Sequence, residues 1–171
     1  EAMPHIQTLL KAAREASIPV VHATGREEDG LATWSVGREI YGSDNRDAEA
    51  MEKRSRRWEI IDEVAPITGE PVMRKDSPSA FWGTPLMGHL NFHNVDTIIA
   101  CGETTSGCVR ASVVDGCTNR YRMIVAEECV FDRHEAAHAI NLFDMHQKYA
   151  DVLPLADILE YIAVWRASQD N

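Results

Sequence analysis

Short apolar segments alternate with amphipathic helical segments along most of this chain of 171 residues. The apolar segments predict strands at 18–23, 71–73, 97–101, 122–125 and 151–153. The periodic segments predict helices at 2–16, 84–92, 107–119, 134–145 and 155–165. Strands that alternate with helices usually pair in parallel, because each helix returns the chain to the same edge of the sheet. The pattern therefore predicts a three-layer α/β/α fold with a mostly parallel sheet.

The composition is that of a globular protein, with 44% hydrophobic and 26% charged residues. The length suits a single domain over residues 1–171. A formal net charge of -10 disfavours nucleic-acid binding, and we find no apolar run of about 18 residues that would span a membrane. We expect a cytoplasmic protein with reduced thiols.

One long polar segment, at about 26–58, interrupts the alternation. It contains three glycines and the aromatic residues Trp34, Tyr41 and Trp58. A long loop in a compact domain is usually a functional lid or a contact between subunits. We predict one of these two roles for the segment.

Four cysteines stand at positions 101, 108, 117 and 129, without a C-x-x-C pair. The histidines are scattered, so this spacing does not predict a zinc site. Cys101 lies within an apolar segment and Cys129 follows another, so we expect both to be small buried hydrophobic residues.

Cys108 differs from the other cysteines because it follows a polar, glycine-containing turn between a predicted strand and a predicted helix. Unpaired backbone N–H groups at a helix start favour a thiolate. Lys75 and Arg133 each follow a predicted strand as well, and ligands bind at this edge of open α/β sheets. For each residue alone a structural or surface role remains open, including a surface pair of Arg133 with Asp132 or Glu135.

Three segments together carry a resemblance to a known family, over about residues 1–162. They are RKDSPSAFWGTPL, VDTIIACGETTSGCVRASVVDG and ECVFDRHEAAHAINLFDMHQKYADVLPL. They resemble the isochorismatase-like cysteine hydrolases, and most of all the branch that hydrolyses N-carbamoylsarcosine or maleamate. The resemblance implies a Rossmann-like, six-stranded parallel sheet and a homo-oligomer, either a dimer or a tetramer.

The resemblance also implies an Asp-Lys-Cys triad, with Cys108 as the nucleophile and Lys75 as the lysine. It implies a cis peptide bond between Glu103 and Thr104. The Thr104 and Cys108 N–H groups would then form an oxyanion hole. Arg133 matches the residue that holds the substrate carboxylate. The expected activity is release of ammonia from a small carboxylate-bearing amide through a thioester-type intermediate.

Other features of the site follow from the same resemblance. Phe81 and Trp82 would form walls of the substrate pocket, with packing in the core as the alternative. Nicotinamidases of this superfamily bind a metal after the second strand, but here His22 lacks the partner ligands. We therefore expect neither a metal nor another cofactor.

One part of the family pattern has no match in the sequence. The family's triad aspartate ends a strand that precedes the first helix, whereas this chain begins at that helix. We expect that the sequence lacks the start of the natural protein, including this strand. Asp76, Asp96 and Asp115 lie near the motifs but not at the position that the family uses.

Two functions from other classes are also compatible with the residues. A catalytically inactive paralogue would bind a small molecule without a reactive Cys108. A redox-sensing thiol protein would need a second cysteine nearby, but Cys117 lies about 13 Å further along the predicted helix. That separation is too large for a disulfide, so the redox role is disfavoured.

Overall fold

A computed structural model describes residues 2–25 and 56–169. The helices are α1 (Met3–Glu15), α2 (Leu86–Phe92), α3 (Arg110–Thr118), α4 (Glu135–Lys148) and α5 (Leu155–Gln169). The strands are β1 (His22–Gly25), β2 (Val72–Lys75), β3 (Thr97–Glu103), β4 (Arg122–Phe131) and β5 (Asp151–Leu153). Short 3-10 turns lie at Arg56–Trp58 and Asp62–Val64. Most of the predicted lid or interface segment, residues 26–55, lies outside the described residues.

All strand pairs in the described residues are parallel. Strand β1 pairs with β2, and β4 lies between β3 and β5. Helices α1 and α5 pack together on one face of β4, while α3 and α4 cover the other face. The predicted three-layer α/β/α fold with parallel strands is therefore confirmed.

Strand β4 contributes apolar side chains to both faces of the central layer. Ile124 and Ala126 point into the cluster formed with α1 and α5, whereas Met123 and Val125 point into the cluster formed with α3 and α4. Side chains of successive strand residues point to opposite faces of a sheet. A strand covered on both faces must therefore be continuously hydrophobic, as residues 123–126 are.

Four of the five predicted strands have different bounds in the structure, and the differences are largest for β1 and β4. The first was expected at 18–23 but begins at His22, whose N–H donates to the Pro71 carbonyl at 3.0 Å. Pro19 has no N–H to give to a ladder, which disfavours strand pairing there. Strand β4 continues to Phe131, well beyond the predicted end at residue 125.

The extra length of β4 comes from an irregular register with β3. Ala100 pairs with Val125, but Gly102 pairs with Val130, so β4 gains residues relative to its neighbour. Gly102 has φ +104°, a backbone conformation that side chains with a Cβ rarely adopt. The irregularity lies directly before the end of β3, where the chain turns toward Cys108.

The burial of two cysteines, Cys101 and Cys129, can be compared with the sequence prediction. Cys129 is fully buried among apolar side chains, as expected. The prediction for Cys101 is wrong, because its side chain is exposed. Cys101 lies on β3, which pairs with β4 along one edge and with no other strand within the described residues.

No helix in this described part is long and apolar enough to cross a membrane.

Candidate active site

Three predicted site residues lie at the carboxyl ends of three strands. Lys75 is the last residue of β2, and Arg133 follows the end of β4. The segment after β3, Thr105–Val109, is an irregular helical turn with a kink at Gly107, and it contains Cys108 and leads into α3. We call this segment the cysteine turn. Within the described residues, β2 belongs to a two-stranded sheet and β3 and β4 belong to a three-stranded one. The carboxyl ends of parallel strands are where α/β proteins place their ligands.

The structure brings Lys75 and Cys108 into direct contact. The Lys75 Nζ lies 3.3 Å from the Cys108 Sγ and donates to the Ser77 carbonyl at 3.1 Å. The lysine is only 6% exposed, whereas Cys108 is partly accessible. A buried ammonium next to sulfur stabilises negative charge on that sulfur more strongly than a solvated one, because water screens it less.

The backbone of the cysteine turn is tightly folded against Thr104 at Gly107. The N–H groups of Gly107 and Val109 both donate to the Thr104 carbonyl, at 2.9 and 3.2 Å. A Cβ atom on residue 107 would lie 2.5 Å from the Thr104 Oγ1, closer than normal contact allows. Glycine at this position therefore lets the backbone fold tightly in front of Cys108. The peptide bond between Glu103 and Thr104 is cis.

A serine joins the cysteine turn to the segment that follows Lys75. The Ser112 hydroxyl donates to the Cys108 carbonyl at 2.8 Å and accepts the Ala80 N–H at 3.0 Å. Ser112 lies on α3, one helical turn after the cysteine. This bridge ties the two segments that carry the lysine and the thiol.

Asp132 binds the cysteine turn from the β4 side. Its Oδ2 accepts the Ser106 N–H at 2.7 Å and the Ser106 hydroxyl at 2.6 Å, and its Oδ1 accepts the Arg133 N–H at 2.8 Å. The bond from the Ser106 hydroxyl is the main reason that the pKa of Asp132 is lowered. The sequence suggested Asp132 only as a surface partner of Arg133. Its position directly before that arginine was the available signal.

A second contact holds the same turn to α4. The Thr105 hydroxyl lies 2.8 Å from the His138 Nδ1, and Thr105 is completely buried. The sequence prediction missed both residues, since neither spacing nor residue type marks them. The cysteine turn is thus attached to the β4–α4 junction at two successive residues.

Arg133 has an exposed side chain beside this junction. Within residues 2–25 and 56–169, its guanidinium forms no ion pair with Asp132 or Glu135, the alternative that the sequence left open. Asp132 instead accepts the arginine backbone N–H. The guanidinium therefore has no acidic partner among the described residues.

The family model for the isochorismatase domain matches residues 1–157. The chain belongs to the isochorismatase family. It is 46% identical over 99 residues to a maleamate amidohydrolase from Pseudomonas putida, covering 58% of this chain and 46% of that protein. It is 31% identical over 160 residues to an N-carbamoylsarcosine amidase from Arthrobacter, covering 94% of this chain and 61% of that protein. The chain thus spans roughly half to three-fifths of these relatives.

Solved structures show the same fold. A cysteine hydrolase from Pseudomonas syringae pv. phaseolicola superposes with a TM-score of 0.80 at 24% identity, over 96% of this chain and 81% of that chain. An N-carbamoylsarcosine amidase from Thermoplasma acidophilum gives a TM-score of 0.72 at 24% identity, over 91% of this chain and 83% of that chain. The predicted family resemblance is confirmed by the domain match over residues 1–157 and by the similarity to the N-carbamoylsarcosine amidase from Arthrobacter.

The two aromatic residues expected at the pocket of this isochorismatase-family chain lie in different surroundings. The Phe81 ring packs with an apolar cluster around α2, and its centroid lies 6.1 Å from that of Tyr121. These contacts correspond to the alternative role in core packing. Trp82 is 69% exposed, so its role as a pocket wall stays a prediction.

His22 belongs to a different hydrogen-bond network. Its Nε2 lies 2.9 Å from the Glu70 Oε2, and Glu70 also accepts two hydrogen bonds from Arg14. The arginine is the main reason that the pKa of Glu70 falls to about 2. Among the described residues, no group of three or more His, Cys, Asp or Glu side chains is arranged to hold a metal ion.

Proposed function

We propose that this protein is a cysteine-dependent amidohydrolase that releases ammonia from a small carboxylate-bearing amide. The observation that carries the proposal is the 3.3 Å contact between the Lys75 Nζ and the Cys108 Sγ, at the carboxyl ends of β2 and β3. The named activities of two relatives, a maleamate amidohydrolase and an N-carbamoylsarcosine amidase, support this reaction class.

The proposed reaction has two chemical steps. The Cys108 thiolate attacks the amide or carbamoyl carbon, and the carbon–nitrogen bond breaks as the leaving nitrogen takes up the proton that was removed from the thiol and departs as ammonia. Water then cleaves the carbon–sulfur bond and regenerates the thiol. Lys75 stabilises the negative charge on sulfur before attack. The backbone N–H groups of Thr104 and Cys108 are assigned to the oxyanion, where each donor typically contributes about 2.7–4 kcal/mol.

The family resemblance assigns removal of the thiol proton to an aspartate. No residue of the sequence matches that aspartate, and Asp76, Asp96 and Asp115 are not assigned the role. Asp96, for example, directly precedes β3 and so lies at the edge of the sheet opposite to the cysteine turn.

The position of Arg133 favours a substrate that carries a carboxylate. It lies next to the junction that holds the cysteine turn, and its guanidinium is unpaired within the described residues. A guanidinium can bind a carboxylate through two parallel hydrogen bonds, which fixes orientation as well as charge. Such a clamp would orient the amide carbon of a short substrate toward the thiol.

An ammonia-release assay tests the proposed function. The panel consists of maleamate, N-carbamoylsarcosine and related short acidic amides, each paired with its methyl-ester analogue, which lacks the negative charge and adds no second source of ammonia. We expect turnover of at least one acidic amide and much weaker turnover of its neutral analogue. If none of the compounds releases ammonia while Cys108 remains unreactive toward iodoacetamide, the alternative of a small-molecule binding protein is favoured.

Replacing Arg133 with alanine should raise KM for the acidic amide by about 10- to 150-fold, with little change in kcat, because a charge-assisted contact contributes about 1.5–3 kcal/mol. The contact exists before and during the reaction, so its loss weakens substrate and transition state equally. Arg133→Lys keeps the charge and should restore part of the affinity. Steady-state kinetics give both constants. A fall in kcat at unchanged KM contradicts this assignment.

A further inference from the structure

Asp132 hydrogen-bonds two segments that have separate tasks in the proposed reaction. The cysteine turn carries the nucleophile, and Arg133 binds the substrate carboxylate. One of its carboxylate oxygens holds Ser106 of the cysteine turn, and the other holds the backbone of Arg133. We propose that Asp132 is a positioning residue, which fixes the nucleophile relative to the arginine that binds the substrate carboxylate. The part that concerns substrate rests on the proposed function; the part that concerns the thiol does not.

The contacts of Asp132 leave little freedom to the cysteine turn. Three donors converge on one carboxylate at 2.6–2.8 Å, and two of them are backbone N–H groups. Backbone donors fix the path of the main chain rather than a side-chain rotamer. Hydrogen bonds to a charged acceptor are shorter and stronger than those between neutral groups.

The opposite side of the cysteine turn has its own attachments. Thr105 is buried against His138, and the Cys108 carbonyl accepts the Ser112 hydroxyl. These bonds hold the turn to α4 and α3 but do not reach Arg133. Among the residues that the structure describes, only the Asp132 side chain hydrogen-bonds both Ser106 and Arg133. Its loss should therefore disturb the alignment of thiol and arginine while the fold persists.

The decisive variant is Asp132→Asn, which keeps size but replaces one acceptor oxygen with an N–H₂ donor. That donor would face either Ser106 or the Arg133 N–H, so at least one of the bonds must break. Ser106→Ala is a milder variant, because the backbone N–H of residue 106 still reaches the carboxylate. Asp96→Asn is the matched control, since Asp96 accepts a hydrogen bond from Thr97 at the opposite edge.

Two measurements on the full chain test the inference. The first is the rate of Cys108 alkylation by iodoacetamide at neutral pH, followed by peptide mass spectrometry. The second is the separate change in kcat and KM for the acidic amide. We expect Asp132→Asn to slow alkylation about 10-fold, lower kcat about 10- to 100-fold and raise KM, since misplacement by about 1 Å can cost 100-fold in rate. Ser106→Ala should show smaller changes in the same directions.

Some outcomes overturn the inference. If Asp132→Asn only lowers the Tm, while alkylation, kcat and KM stay within twofold of the Asp96→Asn control, Asp132 is structural. Should Asp132→Asn fail to fold, unchanged alkylation and kinetics in Ser106→Ala would contradict the role. Absence of ammonia release from the unaltered protein would contradict the proposed function alone, because a change in alkylation still supports positioning of the thiol.

Discussion

Replacing Cys108 with serine is expected to reduce ammonia release by at least about 10⁴-fold, because removal of a covalent nucleophile costs about 10⁶-fold in well-studied hydrolases. The serine hydroxyl is similar in size but is not ionised at neutral pH, so its contact with Lys75 cannot produce an equivalent nucleophile. Ammonia released in single-turnover and steady-state assays measures the effect. The Tm should change little.

Cys117→Ser is the matched control for the nucleophile. Cys117 is also partly accessible and lies on α3, but at the far end of that helix from the cysteine turn. We expect this control to retain activity and to keep selective alkylation at Cys108. Activity of Cys108→Ser within tenfold of the unaltered protein would rule out covalent catalysis by this thiol.

Lys75→Met is expected to lower kcat/KM by about 10³-fold without lowering the Tm. The variant removes the ammonium beside sulfur, so both catalysis and the alkylation rate of Cys108 should fall. Stability should be preserved, because burial of an ammonium carries a desolvation cost that a methionine of similar shape avoids. Lys75 is only 6% exposed, which makes this cost substantial. Steady-state kinetics and thermal unfolding measure the two effects.

Lys148→Met provides a comparison at a surface lysine. Lys148 forms an ion pair with Asp144 on α4 and is mostly exposed. Exposed ion pairs contribute little to stability because water screens them, so this control should retain activity and lose little stability. If Cys108 is alkylated and the acidic amide is hydrolysed as fast in Lys75→Met as in Lys148→Met, Lys75 has no role at the thiol.

Most of the fold could be predicted from the alternation of apolar and periodic segments. Strand β5, at Asp151–Leu153, has the predicted bounds, and the order of helices and strands is as expected. The end of β4 was missed because its pairing with β3 shifts between Ala100 and Gly102. Such a shift depends on the neighbouring strand, whereas apolar periodicity reports only on the strand itself.

The same distinction applies to the site. The contact of Lys75 with Cys108 joins the carboxyl ends of β2 and β3, which belong to separate sheets within the described residues. The family resemblance had singled out both residues. The role of Asp132 depends on how the cysteine turn folds back, which no spacing encodes. The pocket role of Phe81 was expected from the family resemblance, with core packing as the alternative. Its ring packs toward Tyr121, and the pocket role stays a prediction.

The buried Cys129 adds a second kind of information to every thiol-labelling experiment. Burial raises the pKa of its thiol to about 12 and shields it from reagents while the protein is folded. It becomes accessible only when the core opens. A single labelling time course, read peptide by peptide, therefore reports chemical reactivity at residue 108 and global opening at residue 129. A slow variant can thus be distinguished from an unfolding one within the same sample.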